Sequence, residues 1–385
     1  MRSLLRSAAV LVISATAAHA QGTLGVQGFG YPPGQFSART LGTAGALGET
    51  DPASPLNPAA LASWGRAAIF LQYSPEFRTV SVPGGESKTT TVRFPLVGTG
   101  LPIGERGAIG ITASTYLDRS WETEGVDTTV FGSDTVAFNE TFQSLGAIND
   151  VRVAGAWAFG PSVRVGLAAH LYTGENRLRI ARSFSDSAFA GFEQQSTVGY
   201  SGSAGSIGIE LRPLPVVAIA GSARIGGRLT AERADTTIGR GNVPNRYAGA
   251  IQFTGLRGTT IAARVSWEEW SRLRPLTQSN LAVFDAWEYS VGAETRGPTL
   301  FGAPIPVRLG YQRRTLPFGA GRTTLTSTEA SHEVRETSLS FGVGLPLAQG
   351  RALADIALMR ASRSGPPGGI EERSWMLSLG LTIRP

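Results

Sequence analysis

Large apolar residues alternate with small or polar ones, at a period of two, over most of this chain, and no other feature restricts its fold as strongly. In "TTIAARVSWEEW", Ile261, Ala263, Val265 and Trp267 share one phase, while Ala262, Arg264, Ser266 and Glu268 share the other. Strands with two unlike faces produce this pattern. "WEYSVGAE" (287–294), "SLSFGVGL" (338–345) and the last apolar run, Trp375 to Ile383, repeat it. Breaks between the runs come in two kinds. Short ones fall at 102–107, 159–162, 212–215, 255–258, 296–304 and 346–351, and longer polar ones near 81–87, 120–136, 181–192, 232–243, 273–281, 318–333 and 362–371. The two kinds alternate strictly along the chain. A soluble sandwich would also alternate within its strands, but it gives no reason for this rhythm of connections. An up-and-down barrel in an outer membrane does, with tight turns on one side and long loops on the other.

The segments so delimited predict fourteen strands, near 66–80, 88–101, 107–120, 136–158, 163–180, 193–211, 216–231, 244–254, 259–272, 282–295, 305–317, 334–345, 351–361 and 372–384. The expected class is all-β: a 14-stranded antiparallel transmembrane outer-membrane β-barrel with an N-terminal hatch, or plug. An even count returns the C-terminus to the side where the chain entered. The fourth segment is long, which predicts a bulge at "GAIND", residues 146–150. Trp121, Trp157, Phe159, Trp267, Trp270, Trp287, Tyr311 and Trp375 lie near strand ends, as expected of interfacial girdles.

Composition agrees. Glycine contributes 49 of 385 residues and charged residues only 17%, far from the average soluble composition. There is no cysteine, so disulfides cannot supply stability. Net charge is +6, with Lys88 the only lysine. The arginines recur singly along strands instead of forming a patch, which argues against nucleic acid as a partner. Arg2 and Arg6, the apolar "SAAVLVISATAA" and the small-x-small site Ala18-His19-Ala20 predict a signal peptide over 1–20. Residues 21–64 do not alternate and form the expected hatch, and 65–385 the barrel.

Catalytic motifs are scarce. After the signal peptide there are two histidines, His170 and His332, and no nucleophile elbow, phosphate loop or paired metal-ligand spacing. His170 reads as a solvated lumen residue. The expectation is a non-enzyme with no cofactor and no metal. Arg93, Arg152, Arg164, Arg224, Arg264 and Arg308 fall on the polar phase and should face the lumen. A guanidinium can bind a carboxylate through paired hydrogen bonds, so these are candidates for holding the head group of an anionic amphiphile. The alternative is that they pair with Asp150, Glu210, Glu268, Glu288, Glu294 or Asp355 and brace the interior.

The order signal peptide, "ARTLGTAGALGETDPASPLNPAAL" (38–61), fourteen strands, "NVPNRYAGAIQF" (242–253), "RVSWEEWSRL" (264–273) and "PVRLGYQRRTLPFG" (306–319) resembles the FadL/TodX/OMPP1 family of outer-membrane transport proteins, including its PorV-like branch. The resemblance spans the chain that follows the signal peptide. It implies passive uptake of small hydrophobic compounds, long-chain fatty acids or aromatic hydrocarbons, through a plugged barrel with a lateral exit. It also implies that Asn57, Pro58 and Ala59 of the hatch lie against a distorted third strand, where Gly110, Ala113 and Ser114 would permit a kink. Expected partners are a hydrophobic small molecule, outer-membrane lipid and lipopolysaccharide, and the barrel assembly machinery during biogenesis, around a monomer. The alternative is a PorV-like scaffold or shuttle for protein secretion or surface attachment. The chain departs from the family pattern in lacking a long apolar helical hairpin among its loops and in ending Ile383-Arg384-Pro385.

Overall fold

The structure, a computed structural model, describes residues 19–20, 29–82, 85–131, 134–186, 188–277, 282–300, 303–320, 332–365 and 371–384. The expected signal peptide lies outside the described residues up to position 18, and the expected hatch up to position 28. His19 and Ala20 lie beside Glu124 and Thr123.

Fourteen antiparallel wall strands close on themselves. They are β1 (Ala68–Val82), β2 (Gly85–Ile103), β3 (Gly107–Asp118 continuing as Trp121–Phe131), β4 (Asp134–Phe159), β5 (Val163–Phe184), β6 (Phe192–Leu214) and β7 (Val217–Arg233). Then come β8 (Thr236–Asn242 continuing as Arg246–Leu256), β9 (Thr259–Glu268), β10 (Ala286–Leu300), β11 (Ala303–Ala320), β12 (His332–Leu347), β13 (Ala352–Ser364) and β14 (Glu371–Ile383). Closure is made by β14 on β1, in register from Ile383 opposite Ile69 to Glu371 opposite Ser81. β3 breaks at Arg119 and Ser120 and β8 at 243–245, where Pro244 has no N–H for a ladder.

Apolar side chains point outward, including Ile69, Leu101, Ile111, Val153, Leu171, Ile209, Val291 and Leu339, each more than two-fifths exposed. Side chains of this kind, in a continuous phase around a closed barrel, face lipid. Tyr247, Trp267 and Trp287 stand side by side on β8, β9 and β10, with ring centroids 5.8 and 6.2 Å apart. Trp375 and Phe77 meet across the closing seam. These rings form a girdle at the outer boundary of the belt, and exposed Trp157 and Phe159 lie at its inner end.

Four expectations need correction. The breaks near 120–136 and 232–243 are hairpins of extended strand: Ala234 and Asp235 both take positive φ, as a two-residue hairpin turn requires. The bulge lies across the ladder from its expected place. β4 pairs regularly with β5 through 146–150, and the extra residue is Tyr116 of β3, between the pairs Thr115–Asn149 and Leu117–Ile148. β9 ends at Glu268 instead of running on to 272, and a 3-10 helix, Trp270–Leu276, folds inward. Trp270 is therefore buried rather than interfacial, and Trp121 packs near Tyr31.

Residues 29–64 sit inside the barrel. Helix α1 (Ala38–Gly42) is capped by Ser37, whose hydroxyl accepts from the Thr40 N–H, and the 3-10 helix Pro58–Ser63 is capped by Asn57, whose Oδ1 accepts from the Ala59 N–H at 3.0 Å. Several of the glycines on the inward phase are where this segment touches the wall. A Cβ on Gly292 would lie 2.6 Å from the Thr43 carbonyl oxygen, and one on Gly208 would overlap Asn57. Gly155, in contrast, has no such neighbour closer than 4.0 Å.

Gly292→Ala is therefore expected to lift the segment off the wall, lowering its resistance to protease and destabilising it by about 1–3 kcal/mol, the usual penalty of overpacking. Gly155→Ala should leave both unchanged, and equal behaviour of the two variants would refute this account of the inward glycines.

Candidate functional site

The inner end of the lumen is polar. Arg39 of α1 donates to Glu294 at 2.7 and 2.9 Å, and Arg308 bridges Glu294 and Asp355 at 2.6 Å each. Below them a cavity of about 480 Å³, lined by Arg39, Asp51, Trp64, Gln72, Glu294 and Arg308 among others, opens toward the short-turn side. Higher up, Glu49 is fully buried between Arg246 and Arg264 and accepts from Ser222 Oγ at 2.7 Å. Burial alone would raise the Glu49 carboxyl, but the two guanidinium groups override it and hold the pKa at about 2 instead of 4.5. Asn57 donates to the carbonyl oxygens of Glu49 and Ile209 at 2.9 and 3.3 Å.

At the outer end the inward phase turns apolar. Phe29, Tyr116, Leu117, Ile148, Tyr172, Val198, Leu229, Trp270, Leu273 and Phe318 belong to one buried cluster. Trp270 lies parallel to Tyr116 at 5.4 Å between centroids, and Tyr172 meets Tyr116 edge-on at 4.9 Å. The inward helix Trp270–Leu276 contributes Trp270 and Leu273. A second cavity, of about 60 Å³, lies beside Tyr116, Arg224, Glu268 and Gln35.

The β2–β3 ladder runs from Ile103–Gly107 to Leu96–Ser114 and stops there. Among the described residues no ladder joins 85–95 to 121–131, and His19 and Ala20 lie against Glu124 and Thr123. Tyr31 occupies the edge left at Asp118, exchanging two backbone hydrogen bonds of 2.8 Å with it. Arg93 crosses to Asp118 at 2.6 Å. The Tyr31 ring is enclosed by the guanidinium groups of Arg78, Arg93, Arg314 and Arg363, each 4.6–5.3 Å from its centroid. Glu76, Asp118, Glu336 and Glu372 neutralise these four charges.

The expected arginines thus separate. Arg93, Arg264 and Arg308 are buried in ion pairs, and Arg164 pairs with Glu210 at 2.7 Å. Arg152 stands apart: it is 2% exposed, and its Nε and Nη1 have no hydrogen-bond partner among the described residues. The Asn57–Ala59 stretch rests on Gly166 of β5 and Gly208 of β6, and it is Leu61 that reaches Gly110. Gly110 pairs regularly on both sides, so the distortion of β3 sits at Tyr116 and Arg119, not at Gly110. His170 is not solvated. It lies buried between Asp150, at 2.9 and 3.0 Å from Nδ1, and Ser206, at 2.9 Å from Nε2. Sequence reasoning also passed over Glu49 and Asp51, although these are the only acids between 21 and 64 and face an arginine-rich lumen.

No protein-family model and no curated protein matches the sequence. Solved structures do match the fold. A Pseudomonas aeruginosa FadL homologue aligns with a TM-score of 0.64 at 12% identity, over 92% of this chain and 99% of its own. The P. putida toluene transporter TodX aligns at 0.57 and 11%, over 91% and 98%. The CymD monoaromatic hydrocarbon channel aligns at 0.52 and 14%, over 91% and 97%. The chain has the barrel fold that its sequence resemblance implied, and its lipid-facing belt places it in the outer membrane.

Glu49→Gln leaves Arg246 without its counter-charge and Arg264 with Glu288 alone, a change expected to cost about 3–5 kcal/mol. Its readout is faster proteolysis of residues 29–64. Because the folded pKa of Glu49 is depressed, its contribution is complete above pH 4.5 and is lost as pH falls toward 2. The native segment should loosen over that interval, and the variant, which lacks the titrating group, should show a smaller change there.

Proposed function

We propose that this chain is an outer-membrane channel for passive uptake of small hydrophobic compounds, gated by residues 29–64. The observation that carries this reading is the apolar cluster inside the lumen. Lipid contact explains apolar side chains on the outside of a barrel, but nothing about membrane insertion requires them on the inside. A solute that leaves water for such a site gains roughly 25 cal/mol per Å² of apolar surface, which suffices to draw it in without an energy source.

Aromatic hydrocarbons fit the site better than long-chain fatty acids. Tyr116, Tyr172, Trp270 and Phe318 offer ring faces and edges, and five of the six arginines named as carboxylate partners are engaged by the protein's own acids. The similarity of fold to a toluene transporter and a monoaromatic hydrocarbon channel supports the same choice. In this structure the cluster packs on itself, as it would in a closed state. Exit would be sideways, where the β2–β3 ladder stops beyond Leu96 and Ser114, once Tyr31 leaves Asp118. The filled lumen is also what a PorV-like scaffold would have, and the same experiment separates the two.

Uptake of radiolabelled toluene into liposomes should fall at least about tenfold when Leu229→Asp places a charge in the cluster, because an unpaired buried charge excludes apolar solute. Trp270→Ala, which removes the cover over Tyr116, should raise it. Uptake that is absent in the native barrel, or unchanged by both variants, would reject the channel in favour of the scaffold.

A further inference from the structure

We propose that the lumen carries a serine-hydrolase site, with Ser206 as nucleophile, His170 as general base and Asp150 as the residue that positions the imidazole, acting on carboxylic esters of small apolar or aryl groups. Three adjacent strands deliver the three side chains. Asp150 of β4 lies opposite Tyr172, one inward position from His170 on β5, and Ser206 of β6 lies opposite Ala168, one inward position to the other side. All three are buried, at 1%, 6% and 8% exposure. The imidazole is held at both nitrogens: 2.9 and 3.0 Å from the Asp150 oxygens to Nδ1, and 2.9 Å from Nε2 to Ser206 Oγ. A carboxylate only accepts hydrogen bonds, so Nδ1 carries the hydrogen and Nε2 presents its lone pair to the Ser206 hydroxyl. That is the tautomer a general base for serine requires. Asp150 is fixed in turn by Gln35, whose Nε2 donates at 2.8 Å.

Two further features distinguish this arrangement from an ordinary buried polar cluster. Arg152 stands directly opposite His170 on β4, and its Nε and Nη1 are buried without partners. Buried polar groups are nearly always satisfied, so an uncommitted guanidinium across the ladder from the histidine is a ready donor for an oxyanion. The site also lies at the floor of the apolar cluster. The His170 ring is parallel to that of Tyr172, 6.2 Å away, and Ala204, opposite His170, packs against the cluster. The inference rests on the cluster as the place where apolar solute binds, and not on transport through the barrel.

The chemistry balances with water as co-reactant. Ser206 Oγ bonds to the ester carbonyl carbon as its proton passes to His170 Nε2, and the carbonyl oxygen takes up negative charge facing Arg152. The carbon–oxygen bond to the leaving group then breaks, and the alcohol departs with the proton from His170. Water attacks the acyl-serine, giving its proton to His170, and the carboxylic acid leaves as the proton returns to Ser206. Ester and water become acid and alcohol, with no redox partner.

The test uses the full-length barrel in detergent micelles, with folding checked by heat-modifiable migration. An alkyl fluorophosphonate is expected to label Ser206, located by mass spectrometry, both in the native chain and, faster, in Glu49→Gln. Turnover of p-nitrophenyl butyrate should fall by a factor on the order of 10⁴ or more in Ser206→Ala and His170→Gln, as when a triad member is removed. Asp150→Asn should shift the pH profile of turnover, which loss of a merely structural contact would not do, and Arg152→Gln should lower kcat with little change in KM. Absence of label at Ser206 in both folded chains, or turnover unaffected by Ser206→Ala, overturns the proposal. Toluene uptake is measured on the same preparation: label without uptake upholds this site and rejects the channel, and uptake without label does the opposite.

Discussion

Hydrocarbon offers no hydrogen bonds, so each wall strand must find partners for its N–H and C=O groups on both sides, and closure of β14 on β1 meets that demand. The rest of the architecture depends on it. Once the wall closes, the outward phase of each strand is committed to lipid and the inward phase to whatever fills the space. Fourteen strands enclose more room than wall side chains alone can occupy, and here the remainder is protein. Residues 29–64 crowd the wall at Gly100, Gly166, Gly208, Gly292 and Gly310, among others. Some of the chain's excess of glycine therefore belongs to the contact between a folded segment and the barrel around it.

Charge fixes how that segment docks. Removing ions from water costs about what a good ion pair returns, so the buried pairs add little net stability. What they set is position. Glu49 is complementary only to the space between Arg246 of β8 and Arg264 of β9, and Tyr31 only to the ring of four arginines opposite four acids. A misplaced segment would leave several buried charges unpaired, each a loss of a few kcal/mol. Elsewhere toward the outer end the inward phase is aromatic instead of charged.

Strand number, phase and the side of each turn were legible because a period of two, repeated fourteen times, leaves little freedom. The outer ends were less so. "WETEGVDTTV" (121–130) and "TTIGRGN" (236–242) are polar enough to pass for loops, yet above the membrane a strand needs only a neighbour, not an apolar face. The bulge was placed on β4 because that segment is long, whereas a bulge belongs to whichever partner has the extra residue, and that was Tyr116. Most of the site was hidden for one reason. Asp150, His170 and Ser206 are 20 and 36 residues apart, and only the β4–β5 and β5–β6 registers, which a one-residue slip would destroy, bring them together. Arg264 with Glu288, and Arg308 with Glu294, were named as possible partners because neighbouring strands with the same inward phase had to meet.

The ladder between β2 and β3 stops beyond Leu96 and Ser114, and there the inner segment takes part in the wall. Tyr31 supplies the partner that Asp118 lacks, while its ring is held from inside the lumen by Arg78, Arg314 and Arg363. One residue thus belongs both to the wall and to the segment that fills the barrel. Under the proposed lateral exit, a displacement of that segment large enough to move Tyr31 would also remove its bridge to Asp118, so that opening the interior and opening the side would be a single event.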